Sequence, residues 1–257
     1  VNVKTKDFRW VMDFNLAHNK SKINRLNVRD NSYEPSREGY SVGAVFSLKT
    51  AGLDENGLQL FYNKQGEKVS FNDFFGLEYG YMMGGLIPFL KSNLSAEEYR
   101  NLFTYEGTTE PKFTGGWINR FYYKNFDLTV SASFVLDQTV QEQPFYNPVQ
   151  TSPGQNYSRR MLQIWSPDNT SGKYPRIMGT YTEGEENWAY QWLGMLDPGN
   201  SYRKYDYWFK KMSYMRINSI RLGYTFPERL LGHIGFSSAR ISFEARNPFV
   251  FGSSYKG

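Results

Sequence analysis

The side chains with the most to offer chemically in this sequence are aromatic. Trp188, Tyr190, Trp192, Tyr202, Tyr205, Tyr207 and Trp208 crowd one short stretch. Flat rings at this density can stack on sugar rings or on peptide side chains, or they can pack a loop on itself and on a partner. Composition is the same in both cases. These seven are the candidate ligand-binding residues, with packing as the competing use.

Little else points to catalysis. The two histidines, His18 and His233, lie beside a turn and beside a glycine, and no Ser/His/Asp grouping or nucleophile elbow accompanies them. No phosphate-cradling glycine loop or dinucleotide fingerprint is present. Acid pairs such as Glu185-Glu186 lack a second partner that spacing can place. With no cysteine, disulfides, thiolate zinc sites and Fe–S clusters are excluded. We therefore expect no enzyme, no metal and no cofactor. A net charge of +5 is spread along the chain without runs of like sign, so nucleic-acid binding is not expected.

The elements that must position the aromatic stretch are strands. Aromatic residues make up 18% of the 257 residues, beside 23 glycines in a chain that is polar on average, which is a β-sheet composition. No window reaches the ~18 apolar residues of a spanning helix. Gly76, Gly80 and Gly84 copy a membrane-helix spacing, but Glu78 and Pro88 interrupt a segment that is too short, so a loop or short packed segment is expected there.

In Phe8 to Ala17, Phe8, Trp10, Met12, Phe14 and Leu16 alternate with a mostly polar set. Asn19 to Lys22 reads as a turn, and Ile23 to Val28 as a weakly alternating return strand. Gly115 to Leu136 is the clearest hairpin. A two-residue turn at Lys124-Asn125 makes Tyr123 face Phe126, Phe121 face Leu128, Trp117 face Ala132 and Gly115 face Phe134. That register leaves one apolar face, broken only by Asn119, and one largely polar face. A third pair runs from Met212 to Thr225 and from Ala239 to Phe251, with an apolar phase slip between Ile217 and Ile220 that reads as a bulge.

Membrane strands are thus expected near 8–17, 22–29, 113–123, 126–136, 212–225 and 239–251, joined by short links and by long loops near 30–112 and 137–211. Loops of that length are uncommon in compact soluble domains. Strands of ~10 residues, apolar on one face, with short turns at one end and long loops at the other, describe an outer-membrane barrel. The fold class is therefore all-β: a transmembrane antiparallel β-barrel fragment with two long extracellular loops. The first loop is expected to fold over the barrel mouth, with a local hairpin from Tyr40–Leu48 and Leu58–Tyr62 and a helix start marked by the Ser95/Glu98 capping box. About six strands are too few to close a membrane barrel. An open edge in lipid is costly, so another part of the protein or another chain must complete the wall.

Several blocks carry a family likeness. Phe8-Arg9-Trp10 through Lys22-Ile23, Pro111-Lys112-Phe113-Thr114-Gly115-Gly116 with Tyr123-Lys124-Asn125-Phe126-Asp127-Leu128, and Trp165-Ser166-Pro167-Asp168-Asn169 with Tyr174-Pro175-Arg176 resemble segments of SusC/RagA-type TonB-dependent transporters, in the family's order. Tyr214 through Pro227 and Ala245-Arg246-Asn247-Pro248-Phe249 extend the resemblance. It implies the C-terminal part of a barrel of about 22 strands in the cell outer membrane. It also implies a plug domain that is not recognisable in this chain, contact with TonB through a part of the protein outside it, and a SusD-like lipoprotein partner. The implied function is import of oligomeric nutrients, glycan or peptide. No signal peptide is recognisable at Val1, so the natural N-terminus is expected upstream. Two alternatives stand beside this reading: a passive barrel or porin, and a secreted carbohydrate-binding β-domain.

Overall fold

The structure, a computed structural model, describes residues 3–27, 35–82, 87–148, 151, 154–177, 201–232 and 235–252. In chain order the strands are β1 Val3–Lys4, β2 Phe8–His18, β3 Ala44–Leu48, β4 Thr50–Leu53, β5 Gln59–Tyr62, β6 Lys68–Val69, β7 Leu77–Met82, β8 Ile87–Ser92, β9 Phe103–Thr108, β10 Phe113–Tyr123, β11 Phe126–Gln141, β12 Phe209–Thr225 and β13 Arg240–Phe251. Two compact units divide the chain. The first holds residues 1–21, 108–140 and 211–257, and the second holds 22–107 and 141–210.

The first unit is one antiparallel sheet in the order β1-β2-β10-β11-β12-β13. Its centre is the β10–β11 hairpin, whose register pairs Tyr123 with Phe126, Phe121 with Leu128, Trp117 with Ala132 and Gly115 with Phe134. A two-residue turn leaves no other choice once one face is apolar. Lys124 takes a left-handed conformation, φ 51°, to make that turn. Beside the hairpin, β2 sets Trp10 against Phe121, Phe14 against Trp117 and Leu16 against Gly115, so its apolar side continues the same face. Gly115 is required where these strands meet, because a Cβ would run into the Asn15 carbonyl oxygen and the Phe134 ring.

The polar residue on that face has a partner from far along the chain. Trp10 donates its indole N–H to the Asn119 side-chain oxygen at 3.0 Å. In an apolar setting an unpaired amide oxygen is costly, and this bond removes much of that cost.

The phase slip in β12 has a similar origin. Ser131 Oγ meets Ser219 Oγ at 2.8 Å, and Ser133 Oγ donates to Asn218 Oδ1 at 3.0 Å. Ser131 and Ser133 share the polar face of β11, so the consecutive residues Asn218 and Ser219 both turn to that side. This returns Ile217 and Ile220 to the apolar side. The β12–β13 register shifts between Ile217 and Ser219, where β13 carries one extra residue. Asn247, at φ 50°, absorbs it.

One expected strand is absent. Residues 22–27 form no strand, and 28–29 lie outside the described residues. The backbone of Ile23 instead bonds to Gly39 and Tyr40. The edge of β2 that a return strand at 22–29 would use is occupied by β10, and its other edge is started by β1. Asn24, Arg25 and Asn27 supply too weak an alternation to compete for a place there.

The second unit contains three small sheets, β3–β9, β4–β5–β6 and β7–β8. Here β5 pairs with β4, while β3 joins β9 from much later in the chain, so the expected Tyr40–Leu48/Leu58–Tyr62 hairpin is replaced by two separate pairings. The Gly76–Leu90 segment, expected as a loop or packed segment, is largely the β7–β8 hairpin. The capping box forms as its residues imply: Glu98 accepts from the Ser95 backbone N–H at 2.8 Å and opens the short helix Ala96–Arg100. Leu48, Phe61, Phe71, Phe74, Phe75, Tyr99, Tyr146, Ile164, Tyr202, Tyr205 and Trp208 are the buried centre of this unit.

Candidate functional site

Two surfaces of the sheet and one aromatic cluster concentrate the chemistry. On the apolar face of the sheet, large side chains stand in the open: Phe14 is 58% exposed, Ile241 64% and Phe243 77%. Leu16, Leu222 and Phe249 accompany them. No described residue covers them in the way a core would. No described helix is long and apolar enough to cross a membrane, which leaves crossing by strands untouched.

On the opposite face, charges are organised across strands. Arg120 is ion-paired with Asp13. Arg240 of β13 reaches over Gly223 of β12 to place two hydrogen bonds, 2.9 and 2.7 Å, on the Asp127 carboxylate of β11. A side chain at position 223 would occupy the place of that pair. The Arg9 guanidinium lies 4.0 Å over the Tyr122 ring.

In the second unit, the candidate aromatic residues separate. Tyr205 and Trp208 are 0% exposed and Tyr202 5%. Trp208 stacks on Tyr174 at 5.5 Å and donates its indole N–H to the Tyr202 carbonyl at 3.1 Å. Tyr207 packs edge-on against Trp208 at 4.9 Å. Burial pushes the Tyr202 phenol well above its ordinary range. These four rings are occupied with one another, so their role in this structure is to hold the unit together. Trp188, Tyr190 and Trp192 lie outside the described residues.

Sequence spacing missed the group that locks this cluster. Arg160 lies 4.5 Å over Phe145, donates to the Tyr174 hydroxyl at 2.9 Å and pairs with Glu142. Lys210 also holds Glu142, at 2.5 Å. Nothing in the spacing of residues 142, 145, 160, 174 and 210 announces this group, because they come from four separate stretches of chain. Burial by itself raises the Glu142 carboxyl, but the hydrogen bonds and charges of Lys210 and Arg160 outweigh it and hold the group below the usual carboxylate range. Its stabilising contribution is therefore complete above the unfolded carboxylate value and is lost as pH falls through the depressed folded one. Proteolytic susceptibility of the second unit should rise below about pH 4, and Glu142→Gln should flatten that part of the pH profile.

An open cleft of about 400 Å³ lies elsewhere in the second unit, with Phe74, Val69, Leu94 and Leu102 among its lining and Tyr62, Lys64 and Asn101 beside them. His18 takes no part in any such site: its Nδ1 lies 2.8 Å from the Lys112 carbonyl oxygen and its ring packs on Phe113. His233 lies outside the described residues. Among the described residues no three His, Cys, Asp or Glu side chains are grouped as metal ligands.

The chain is similar over its whole length to TonB-dependent receptor P3 of Formosa agariphila, with 25% identity over an alignment 274 positions long that covers 23% of that protein. It matches no protein-family model. Among solved structures it superposes on the RagAB peptide transporter with a TM-score of 0.63 at 19% identity, covering 99% of this chain and 25% of that one. The RagAB peptide importer in its "open-open" state gives 0.58 at 18% identity, with 99% and 24% covered. The chain thus spans about a quarter of the length of the proteins it matches. The structural likeness establishes a shared fold over that quarter, and the sequence likeness is to a TonB-dependent receptor.

Proposed function

We propose that this chain forms part of the wall, and two outer loops, of a TonB-dependent outer-membrane importer of oligomeric nutrients, glycan or peptide, working with a SusD-like lipoprotein. The observation that carries the reading is the continuous apolar face, with Phe14, Ile241 and Phe243 more than half exposed. Water-soluble proteins seldom leave so wide an apolar surface uncovered, whereas a bilayer solvates it. The similarity to a TonB-dependent receptor supports transport over catalysis. Closure of the wall and contact with TonB fall to other parts of the protein.

Nitroxide labels placed at Trp117, Phe121, Leu128, Val130 and Phe134 in the full-length protein test the membrane topology. Oxygen, which concentrates in lipid, should relax them strongly, and a water-soluble paramagnetic reagent should not. Access by the aqueous reagent would remove the basis of the reading.

Within this function, Trp188, Tyr190 and Trp192 are the rings we assign to nutrient contact, whereas Tyr202, Tyr205 and Trp208 are covered by other rings. Replacing Trp188 and Trp192 together by Ala should weaken ligand binding by about tenfold, at ~1 kcal/mol for each aromatic contact, while the barrel still assembles. Calorimetric titration checks this. Unchanged ligand affinity with weakened lipoprotein docking would assign these rings to the lid interface.

A further inference from the structure

The polar face of the sheet is not electrically neutral. Arg9, Arg120, Arg221, Arg240 and Arg246 project to that side by register, and Arg216 follows from the turn of both Asn218 and Ser219 toward Ser133 and Ser131. The carboxylates that meet them are Asp13, Asp127 and Glu244, each held by one guanidinium: Asp13 by Arg120, Asp127 by Arg240, and Glu244 by Arg246 at 3.4 Å. This leaves Arg9, Arg216 and Arg221. Among the described residues none of the three has a carboxylate within salt-bridge distance. Arg9 and Arg216 instead lie over the Tyr122 and Tyr214 rings. Arg221 stands opposite Glu244 in the ladder, but the carboxylate turns to Arg246.

Part of the face between these cations is small and hydrogen-bonding. Ser131, Ser133, Asn218 and Ser219 occupy the same face between the charged positions, and Gly116 and Gly223 carry no side chain at all. The wall is therefore recessed around Ser131, Ser133 and Gly223, while Val11, Ile118 and Tyr122 stand on the same face beside Arg9 and Arg120. A recessed polar wall with fixed, unneutralised guanidinium groups raises the local concentration of anions, and guanidinium pairs with carboxylate and sulfate in bidentate fashion. Rings of Arg and Lys perform this selection in anion pores.

We infer that the polar face lines the path of the imported oligomer and selects an anionic one, bearing carboxylate or sulfate groups along its length. Arg9, Arg216 and Arg221 are its contact points. The inference rests on the importer reading above, which makes this face the pore side.

The test uses the purified full-length protein and two probes of equal length, a galacturonic acid oligomer and its methyl ester, which differ only in charge. The acid should bind about tenfold more tightly than the ester at low ionic strength, and added salt should erase the difference. The triple replacement Arg9→Gln, Arg216→Gln and Arg221→Gln should erase it at low salt as well. Equal affinity for the two probes in the unaltered protein overturns the inference. So does a triple variant that keeps the preference, including one that only makes the rest of the protein more protease-sensitive, because the arginines would then serve an internal acidic segment. Heat-modifiable migration of the same sample reads the barrel separately. Its absence would sink the importer reading, whereas a heat-modifiable barrel without charge preference would sink this inference alone.

Discussion

Phe14→Arg is expected to destabilise the full-length protein in lipid vesicles by about 2–4 kcal/mol, the depth-dependent cost of a cation on the lipid face of a barrel near its midplane. Phe14 sits at the middle of β2, faces Trp117 across the ladder, and packs its ring 6.2 Å from Phe134. It is nonetheless 58% exposed. In a sheet that faced water, exchanging so exposed a side chain for Arg would change stability by only about 0.5 kcal/mol. The two environments therefore predict effects several-fold apart for one substitution. Equilibrium unfolding of the protein reconstituted in vesicles gives the number directly. A change near the smaller value would mean that the apolar face does not meet lipid.

Trp208→Ala should cost the second unit about 3–5 kcal/mol, as expected for deletion of a fully buried indole. The ring is 0% exposed, stacks on Tyr174, and satisfies the Tyr202 carbonyl with its N–H. Removing it opens a cavity beside Phe145 and Tyr174 and leaves that carbonyl only the longer 3.4 Å bond from the Tyr205 backbone N–H, which adds to the transfer cost. Hydrogen exchange across residues 141–177 and 201–210 should accelerate by orders of magnitude, while amides of β10 and β11 in the first unit hold their protection. If ligand affinity fell and exchange did not change, Trp208 would be a contact residue and its burial would not describe the working protein.

How much of this was legible beforehand depended on whether the signal was local. The β10–β11 register follows from period-2 alternation around a two-residue turn, and both lie within one short stretch of chain. The capping box at Ser95 and Glu98 is equally local. Asn119 and the slip between Ile217 and Ile220 were visible as anomalies but could not be explained, because the groups that resolve them, Trp10 for the first and Ser131 and Ser133 for the second, are remote in sequence. The strand expected at 22–29 failed for a related reason. Its own alternation was weak, and the edge it needed had been taken by β10 from about ninety residues later.

The aromatic stretch shows the limit most clearly. Ring density in Trp188 to Trp208 announces that something must be covered, and that much is written in the order of residues, along with the all-β class and the two-faced strands. It could not say whether the cover is a ligand or the protein, since the free energy of burying a ring is nearly indifferent to what buries it. Folding closes Tyr202, Tyr205 and Trp208 over with Tyr146, Tyr174 and Phe61, residues drawn from separate segments of the second unit. Alternation and turns are properties of neighbouring residues and survive in a string of letters. Which apolar surface meets which is settled by packing between distant segments.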